Sequence, residues 1–398
     1  MTTTSTTAPQ GHELRTTYAI LAAISLCHLT NDLMQSVLAA IYPLLKTEFS
    51  LDFWHIGLLT LVFQLTASLL QPLVGIATDR HPFPWALPIG MGSTLIGLLL
   101  LSVAPTYGLL ICGAGLIGIG SSIFHPEASR VARAASGGRF GLAQSAFQVG
   151  GNFGTAIGPL LAALIVVPLG RGSVAIFAVL ALVGMAILTG VSRWHISERK
   201  AAAKRPKPAG HGLPARQVRI AMVVLLALLF SKQVYMASMT SYYTFFLIER
   251  FGLTPAGAQK MLFLFLVAVA FGTVIGGPVG DRIGRRTVIW VSILGVLPLT
   301  LLLPYASLFW TGVLSVLIGV VLASALPAII VFAQELAPDR VGTVAGLFFG
   351  AAFGVAGIAA AALGLIADST GITRVFQGCA LLPALGLLAA FLPRRGML

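Results

Sequence analysis

The sequence predicts an all-α membrane protein with twelve transmembrane helices in two pseudo-symmetric six-helix bundles. Three observations lead there. The 398 residues are 57% hydrophobic and only 9% charged, whereas soluble domains carry about 25% charged residues. The apolar residues gather in runs of helix length and not in short alternating strands, which excludes a β-barrel. Landmarks of the first half then return in the second at a nearly constant offset.

The apolar spans lie, in order, at 17–45, 53–78, 85–104, 107–132, 140–168, 172–192, 218–247, 257–280, 287–305, 307–336, 343–367 and 373–392. The long polar stretch between the sixth and seventh, residues 193–219, holds eight Lys or Arg, three Pro and two Gly. It reads as a solvated linker that can also lie on anionic headgroups. The organisation is therefore a tail at 1–16, a bundle at 17–192, a linker at 193–217 and a bundle at 218–398. With both termini and the linker cytoplasmic, 19 of the 25 Lys and Arg residues fall on that side, as the positive-inside rule requires. The formal net charge of +13 thus orients the chain in a bilayer and gives no reason to expect nucleic acid. The opening MTTTSTTAPQGHELRTT has no basic region followed by an apolar core and cleavage site, so no signal peptide is expected. Cys27, Cys112 and Cys379 lie inside apolar spans, with no disulfide framework or metal-ligand pattern expected.

The repeat is visible at four places. Asp79-Arg80 returns as Asp281-Arg282, and TEFSL at 47–51 as ERFGL at 249–253, both at an offset of 202. Pro126 returns as Pro327, and RFGLAQSAF from Arg139 as RVGTVAGLF from Arg340, both at 201. A parallel repeat of six helices is a transporter device, with the substrate site between the halves near the bilayer midplane.

Several polar residues interrupt the apolar spans. In the first, His28, Asp32 and Gln35 stand at i, i+4 and i+7 with Asn31 beside them, so a helix puts them on one face. An ionised group there costs about 2.5–3.5 kcal/mol even on the lenient insertion scale, so the face looks inward, onto a cavity. Asp32 is the candidate proton carrier, with His28 able to share its proton; Tyr42 extends the same wall. The fourth span ends in SSIFHPEASRVAR. Its Glu127 and Arg130 are i, i+3 neighbours that either neutralise each other or, with His125, relay protons and touch substrate. In the fifth, Gln144, Gln148 and Asn152 form a polar stripe, while Gly150, Gly154, Gly158 and Pro159 allow close helix approach and a bend. In the seventh, Lys232, Tyr235 and Tyr242 share a face. Lys232 needs either a static carboxylate partner, Asp32, or an anionic ligand. The loop GPVGDRIGRR at 277–286 offers Asp281, Arg282, Arg285 and Arg286 for a charge-paired gate, or simply a basic topogenic turn.

That loop resembles the signature loop of the major facilitator superfamily, and GIATDRHPFP resembles a reduced copy that keeps Gly75, Asp79 and Arg80 without the closing basic pair. The second loop is therefore expected to latch more firmly than the first. The glycine series with Pro159 is similar to the antiporter motif of drug–proton exporters, though GPLLAA has alanines where glycine usually repeats. Glu335, before LAPDRVG, resembles the acid that pairs with signature-loop arginines. The arginine that drug exporters commonly carry earlier in the fourth helix is Ala114 here. Residues 118–154, together with HLTND in the first span, are similar to the fosmidomycin resistance branch.

The resemblance implies the major facilitator fold and alternating access by rocking of the two bundles. It implies a monomer in the bacterial inner membrane that exports a small antibacterial compound, an anionic phosphonate such as fosmidomycin, in exchange for protons. Proton coupling falls to Asp32, His28 and Glu127, with no cofactor and no metal. A proton-coupled importer of a small organic anion would use the same fold. The paired Asp-Arg loops argue against a channel, and no HExxH, GxSxG or nucleotide loop supports an enzyme.

Overall fold

The computed structural model describes residues 16–203 and 213–393. The regular structure among them is helical. The helices of membrane length are α1 (Tyr18–Ala40), α2 (Phe53–Arg80), α3 (Ala86–Val103), α4 (Tyr107–Ala135), α5 (Phe140–Leu169) and α6 (Arg171–Ala202). They continue as α7 (Ala215–Phe251), α8 (Pro255–Ile283), α9 (Arg285–Tyr305), α10 (Leu308–Leu336), α11 (Pro338–Thr370) and α12 (Ile372–Phe391). A short helix, Tyr42–Glu48, follows α1.

Eleven of these helices are long and apolar enough to cross a membrane. The exception, α1, has 23 residues, and so the required length of about 35 Å. It falls short only in apolarity, because His28, Asn31, Asp32 and Gln35 all stand on it. Beyond Pro159 the ladder of α5 slips into a π-turn at Ala162–Val166, as expected where proline has removed a donor. The linker is shorter than its polarity suggests. Helix α6 continues to Ala202, with Arg199 and Lys200 in its last turn, where cations complement the unpaired carbonyls. Helix α7 starts directly after Pro214. The remaining linker residues 204–212, and the tail residues 1–15, lie outside the described residues.

The loops joining α2–α3, α4–α5, α8–α9 and α10–α11 lie on one face, called the base here, and the opposite face is the mouth. One buried apolar cluster fills the first half, including Ile24, Met34, Phe124 and Phe147, and continues into the base ends of α7, α9, α10 and α11 through residues such as Leu225, Ile289, Ile330 and Phe348. A separate cluster, with Tyr243, Phe246 and Phe376, occupies the mouth end of the second half. The halves therefore share a core at the base and part company toward the mouth.

Two helix pairs carry most of the contact between halves, α2 with α11 and α5 with α8. Their register follows the repeat. A side chain at Gly75 would strike the Gly342 carbonyl, and one at Gly277 the Gly141 carbonyl. These are the same two crossings related by the pseudo-twofold, since 75 and 277, like 141 and 342, are repeat mates. Along α11 the backbone of α2 stays close at Gly346 and Gly350, which face the carbonyls of Gln71 and Ser68. Nearer the mouth, a Cβ on Gly354 or Gly357 would meet only side-chain atoms, at 3.9 Å (Ser68) and 3.5 Å (Gln64). The pair diverges toward the mouth.

Candidate functional site

The base is closed by two latches of one design. The first-turn N–H groups of a helix have no intrahelical acceptor and attract negative charge. At the end of α2, the Asp79 carboxylate accepts from the Gly342 and Thr343 amides of α11, at 3.0 and 2.6 Å, and from the Thr343 hydroxyl at 2.7 Å. At the end of α8, Asp281 accepts from the Gly141 and Leu142 amides of α5, both at 2.9 Å. Each aspartate also meets an arginine. Arg285 is 2.7 Å from Asp281 and 3.2 Å from Glu335, which joins the signature loop to α10 as the resemblance implies.

The first latch departs from expectation. Its loop lacks the basic pair, but Arg130 reaches across from α4 to Asp79 at 2.5 Å while holding both Glu127 oxygens at 2.7 and 2.9 Å. The missing cation is supplied by another helix, so the geometry gives no reason to rank this latch below the other. Glu127 and Arg130 thus stand in the gate, away from the polar cluster at mid-depth. Arg286 serves a third role, donating to the Ala389 and Ala390 carbonyls at the end of α12. Arg80 and Arg282 are exposed. Between the latches, Gln334 of α10 donates to Ser129 at 3.0 Å, and Ser129 donates to Gln144 at 3.0 Å.

At mid-depth in the first half the polar residues of α1 meet His125. His28 Nε2 lies 3.2 Å from Asp32 Oδ2 and 3.3 Å from His125 Nε2, and His125 Nε2 lies 3.6 Å from Asp32 Oδ1. The amides of Asn31 and Gln35 donate to Asp32 Oδ1 at 3.1 and 3.3 Å. Both rings are fixed from behind: His28 Nδ1 faces the Phe147 carbonyl at 2.7 Å, and His125 Nδ1 faces the Ser121 carbonyl at 2.9 Å. A carbonyl only accepts, so the ring proton of each sits on Nδ1. In a neutral ring the Nε2 lone pair then faces the space shared with the Asp32 carboxylate, where a proton or another positive guest satisfies the acceptors that meet. Phe147 stacks on His28 with ring centroids 4.0 Å apart. From the second half, Phe349 and Phe353 of α11 cover His125 at 5.4 and 5.0 Å. The cluster is buried except at Asp32, whose side chain is 12% exposed.

The glycine series on α5 explains how α1 comes so close. Side chains at Gly150 and Gly154 would collide with the Ser25 and Leu29 carbonyls, and one at Gly158 with Ser36. These positions are backbone-to-backbone packing. Gly151, which the spacing did not single out, bears on the site itself: a Cβ there would overlap His28 Nε2 and stand 2.7 Å from Asp32 Oδ2.

In the second half Lys232 is buried, and its ammonium donates to the neutral Gln233 carbonyl at 2.9 Å. No ion pair joins it to Asp32, whose carboxylate meets the two imidazoles instead. Gln233 in turn donates to the Ala352 carbonyl of α11 at 3.1 Å. Asn152 bridges the halves by donating to Thr273 of α8 at 3.2 Å. Gln148 Oε1 and Asn31 Oδ1 are buried without a hydrogen-bond partner. Tyr235 belongs to the core of the second half, and Tyr42 stands half-buried at the start of the short helix after α1, apart from the cluster. Phe147, Phe349, Phe353 and Thr343 complete the site. The only sequence signal for Thr343 was its place in the repeat of RFGLAQSAF.

The profile of the Major Facilitator Superfamily matches residues 24–361 and 225–396. The chain is 60% identical over 380 residues to the fosmidomycin resistance protein of Escherichia coli (strain K12), covering 95% of this chain and 94% of that one. It is 40% identical over 383 residues to the uncharacterized MFS-type transporter YfnC of Bacillus subtilis (strain 168), covering 95% and 93%. Among solved structures it is similar to an MFS transporter, FucP, in the outward conformation, with a TM-score of 0.74 at 16% identity over 96% of this chain and 100% of that one. The chain belongs to the major facilitator superfamily, and is a multi-pass membrane transporter.

Proposed function

We propose that this chain exports a small anionic antibacterial compound, a phosphonate of the fosmidomycin kind, across the bacterial inner membrane in exchange for protons, acting as a monomer. The observation that carries this reading is the 60% identity, over nearly the whole of both chains, to a fosmidomycin resistance protein. The basic residues support a cytoplasmic base with both termini inside. With that orientation the latched base and divergent mouth correspond to an outward-facing state.

The cycle follows from the groups in place. Bundles 17–192 and 218–398 rock against each other, so that breaking the Asp79 and Asp281 latches opens the base while the mouth closes. Lys232, buried and served only by a neutral amide, is the anchor for the substrate's negative charge. Asp32 with His28 and His125 holds the coupling proton, the positive guest that satisfies the facing acceptors. Phe349 and Phe353 lie over His125 from the opposite half, so the same rocking motion that moves substrate wets or dries the proton site. Exchanging one inward proton for one outward monoanion moves two charges, and a 100 mV potential supplies about 2.3 kcal/mol for each.

The test is accumulation of labelled fosmidomycin in inside-out membrane vesicles whose lumen is made acidic. Accumulation that collapses with a protonophore is the expected result. Accumulation only in right-side-out vesicles with an acidic exterior would instead support the importer of a small organic anion.

A further inference from the structure

The three atoms that face one another at mid-depth are also a ligand set. Neither their sequence spacing nor the family resemblance suggests a metal, and only the fold brings His125 to His28 and Asp32. His28 Nε2 lies 3.2 Å from Asp32 Oδ2 and 3.3 Å from His125 Nε2, His125 Nε2 lies 3.6 Å from the other carboxylate oxygen, Oδ1, and one ligand atom from each residue falls within 4.8 Å of the others. A tetrahedral zinc ion bonded at about 2.0–2.1 Å sets its ligand atoms about 3.3 Å apart. Both imidazoles present the nitrogen a metal needs, because each Nδ1–H is committed to a backbone carbonyl, of Phe147 at 2.7 Å and of Ser121 at 2.9 Å. That is the support by which proteins orient ligating histidines and raise their basicity. The carboxylate is steadied in turn by the Asn31 and Gln35 amides.

We propose that His28, Asp32 and His125 form a site for one divalent transition-metal ion of the zinc type, bound by two imidazole Nε2 atoms and one carboxylate oxygen. The fourth position faces the cavity, on the side where Asp32 is partly exposed. Two imidazoles with one carboxylate suit zinc and its neighbours better than magnesium or calcium, which prefer oxygen alone. Phenylalanine rings on the other sides keep water out and strengthen the interaction with a cation. The ion occupies the same lone pairs as the coupling proton, so it arrests transport. This inhibitory consequence rests on the proposed proton exchange, whereas binding itself does not.

The experiment uses the full chain, purified and stripped of metal with a chelator. Equilibrium dialysis against Zn2+ is expected to give one ion per chain. The dissociation constant should rise in His28→Gln, in His125→Gln and in Asp32→Asn by at least the roughly 10- to 100-fold that loss of a partner supporting a ligand costs. His55→Ala, which removes the half-exposed histidine 3.6 Å from Asp52, should change nothing. Co2+ added to the unaltered chain gives a measurement free of any folding defect. The intense visible band of a four-coordinate ion, displaced by Zn2+, is expected, and the weak spectrum of six-coordinate cobalt would overturn the proposal. So would zinc binding that survives all three substitutions or is lost with His55. The outcomes separate the two ideas. Zinc bound at this site without effect on vesicle transport leaves the metal site standing and refutes the proton assignment. Proton-driven export without zinc binding does the reverse.

Discussion

At mid-depth the first half holds two imidazoles and a carboxylate within 3.6 Å, while α7 of the second half holds one ammonium, Lys232, beside a neutral glutamine. At the repeat offsets of 202 and 201, His28, Asp32 and His125 correspond to Phe230, Val234 and Leu326, and Lys232 corresponds to Thr30. None of the chemistry at the centre is shared. At the base the aspartate latch is shared: Asp79 and Asp281 accept from the first-turn amides of α11 and α5, and glycines meet carbonyls at both crossings, although the cation beside each comes from a different place, Arg130 of α4 and Arg285 of α9. The repeat has kept the parts that must act in concert when a gate closes and has specialised the parts that meet different cargoes. One half handles the proton and the other the anion.

The largest expected effect breaks the proton half. Asp32→Asn keeps shape and donors to spare but removes the charge that holds a positive guest between the imidazoles. Uphill export into acidified inside-out vesicles should fall by at least about 100-fold, the scale on which a proton-transfer group acts, with the protein still inserted. Vesicles of this variant that still concentrate substrate from a pH gradient would mean that Asp32 is not the carrier.

Second in size is the anion half. Lys232→Gln removes the only buried ammonium at this depth among the described residues. A hydrogen bond to a charged group contributes about 1.5–3 kcal/mol, so calorimetry should show fosmidomycin binding weakened by roughly 10- to 150-fold. Lys232→Arg should fall between. Unchanged binding in Lys232→Gln would make the lysine structural and collapse the division between the halves.

The latches come third. Asp79 gathers three donors from α11 and one from Arg130, while Asp281 gathers two amides from α5 and Arg285. Losing a helix cap costs about 0.5–2 kcal/mol, so either alanine substitution should move the balance between states by about 2- to 30-fold. Asp79→Ala is expected to move it at least as far as Asp281→Ala. A thiol at Ser145, buried where α5 meets Gly277 and without a hydrogen-bond partner, reports this through its alkylation rate from the base side. A much larger rate in Asp281→Ala would restore the ranking that the loop sequences alone suggest.

That reversal shows what the sequence could and could not say. Spans, repeat and signature loop are one-dimensional patterns, set by helix length and by residues close in the chain, and they were legible apart from the helix ends beside the linker. The polar face of α1 was legible too, because a 3.6-residue period fixes which side chains share a side. Partners from other helices were not. Nothing in the spacing brings His125 to Asp32, sends Arg130 to Asp79 or lays Phe353 over His125, since those distances depend on how α4 and α11 lean. Charge alone left Lys232 two partners, Asp32 or an anionic ligand, and in the structure its ammonium meets Gln233 while His28 and His125 surround the carboxylate.

The smallest expected effect sharpens the point at a single residue. Arg80 follows Asp79 directly and would be the obvious cation for the first latch, yet it is exposed, while Arg130 bridges Asp79 and Glu127. Isolated surface charges contribute about 0–1 kcal/mol. Arg80→Gln should therefore leave export within about twofold and the Ser145→Cys alkylation rate unchanged. Arg130→Gln should differ on both counts, because it leaves two carboxylates of the gate facing each other without a counter-charge. Arg130→Lys should recover only part of the loss, since an ammonium cannot reproduce the planar fork that holds Asp79 on one nitrogen and both Glu127 oxygens on the other. Should Arg80→Gln accelerate alkylation as much as Arg130→Gln, the loop would be its own latch after all, and the help from α4 incidental.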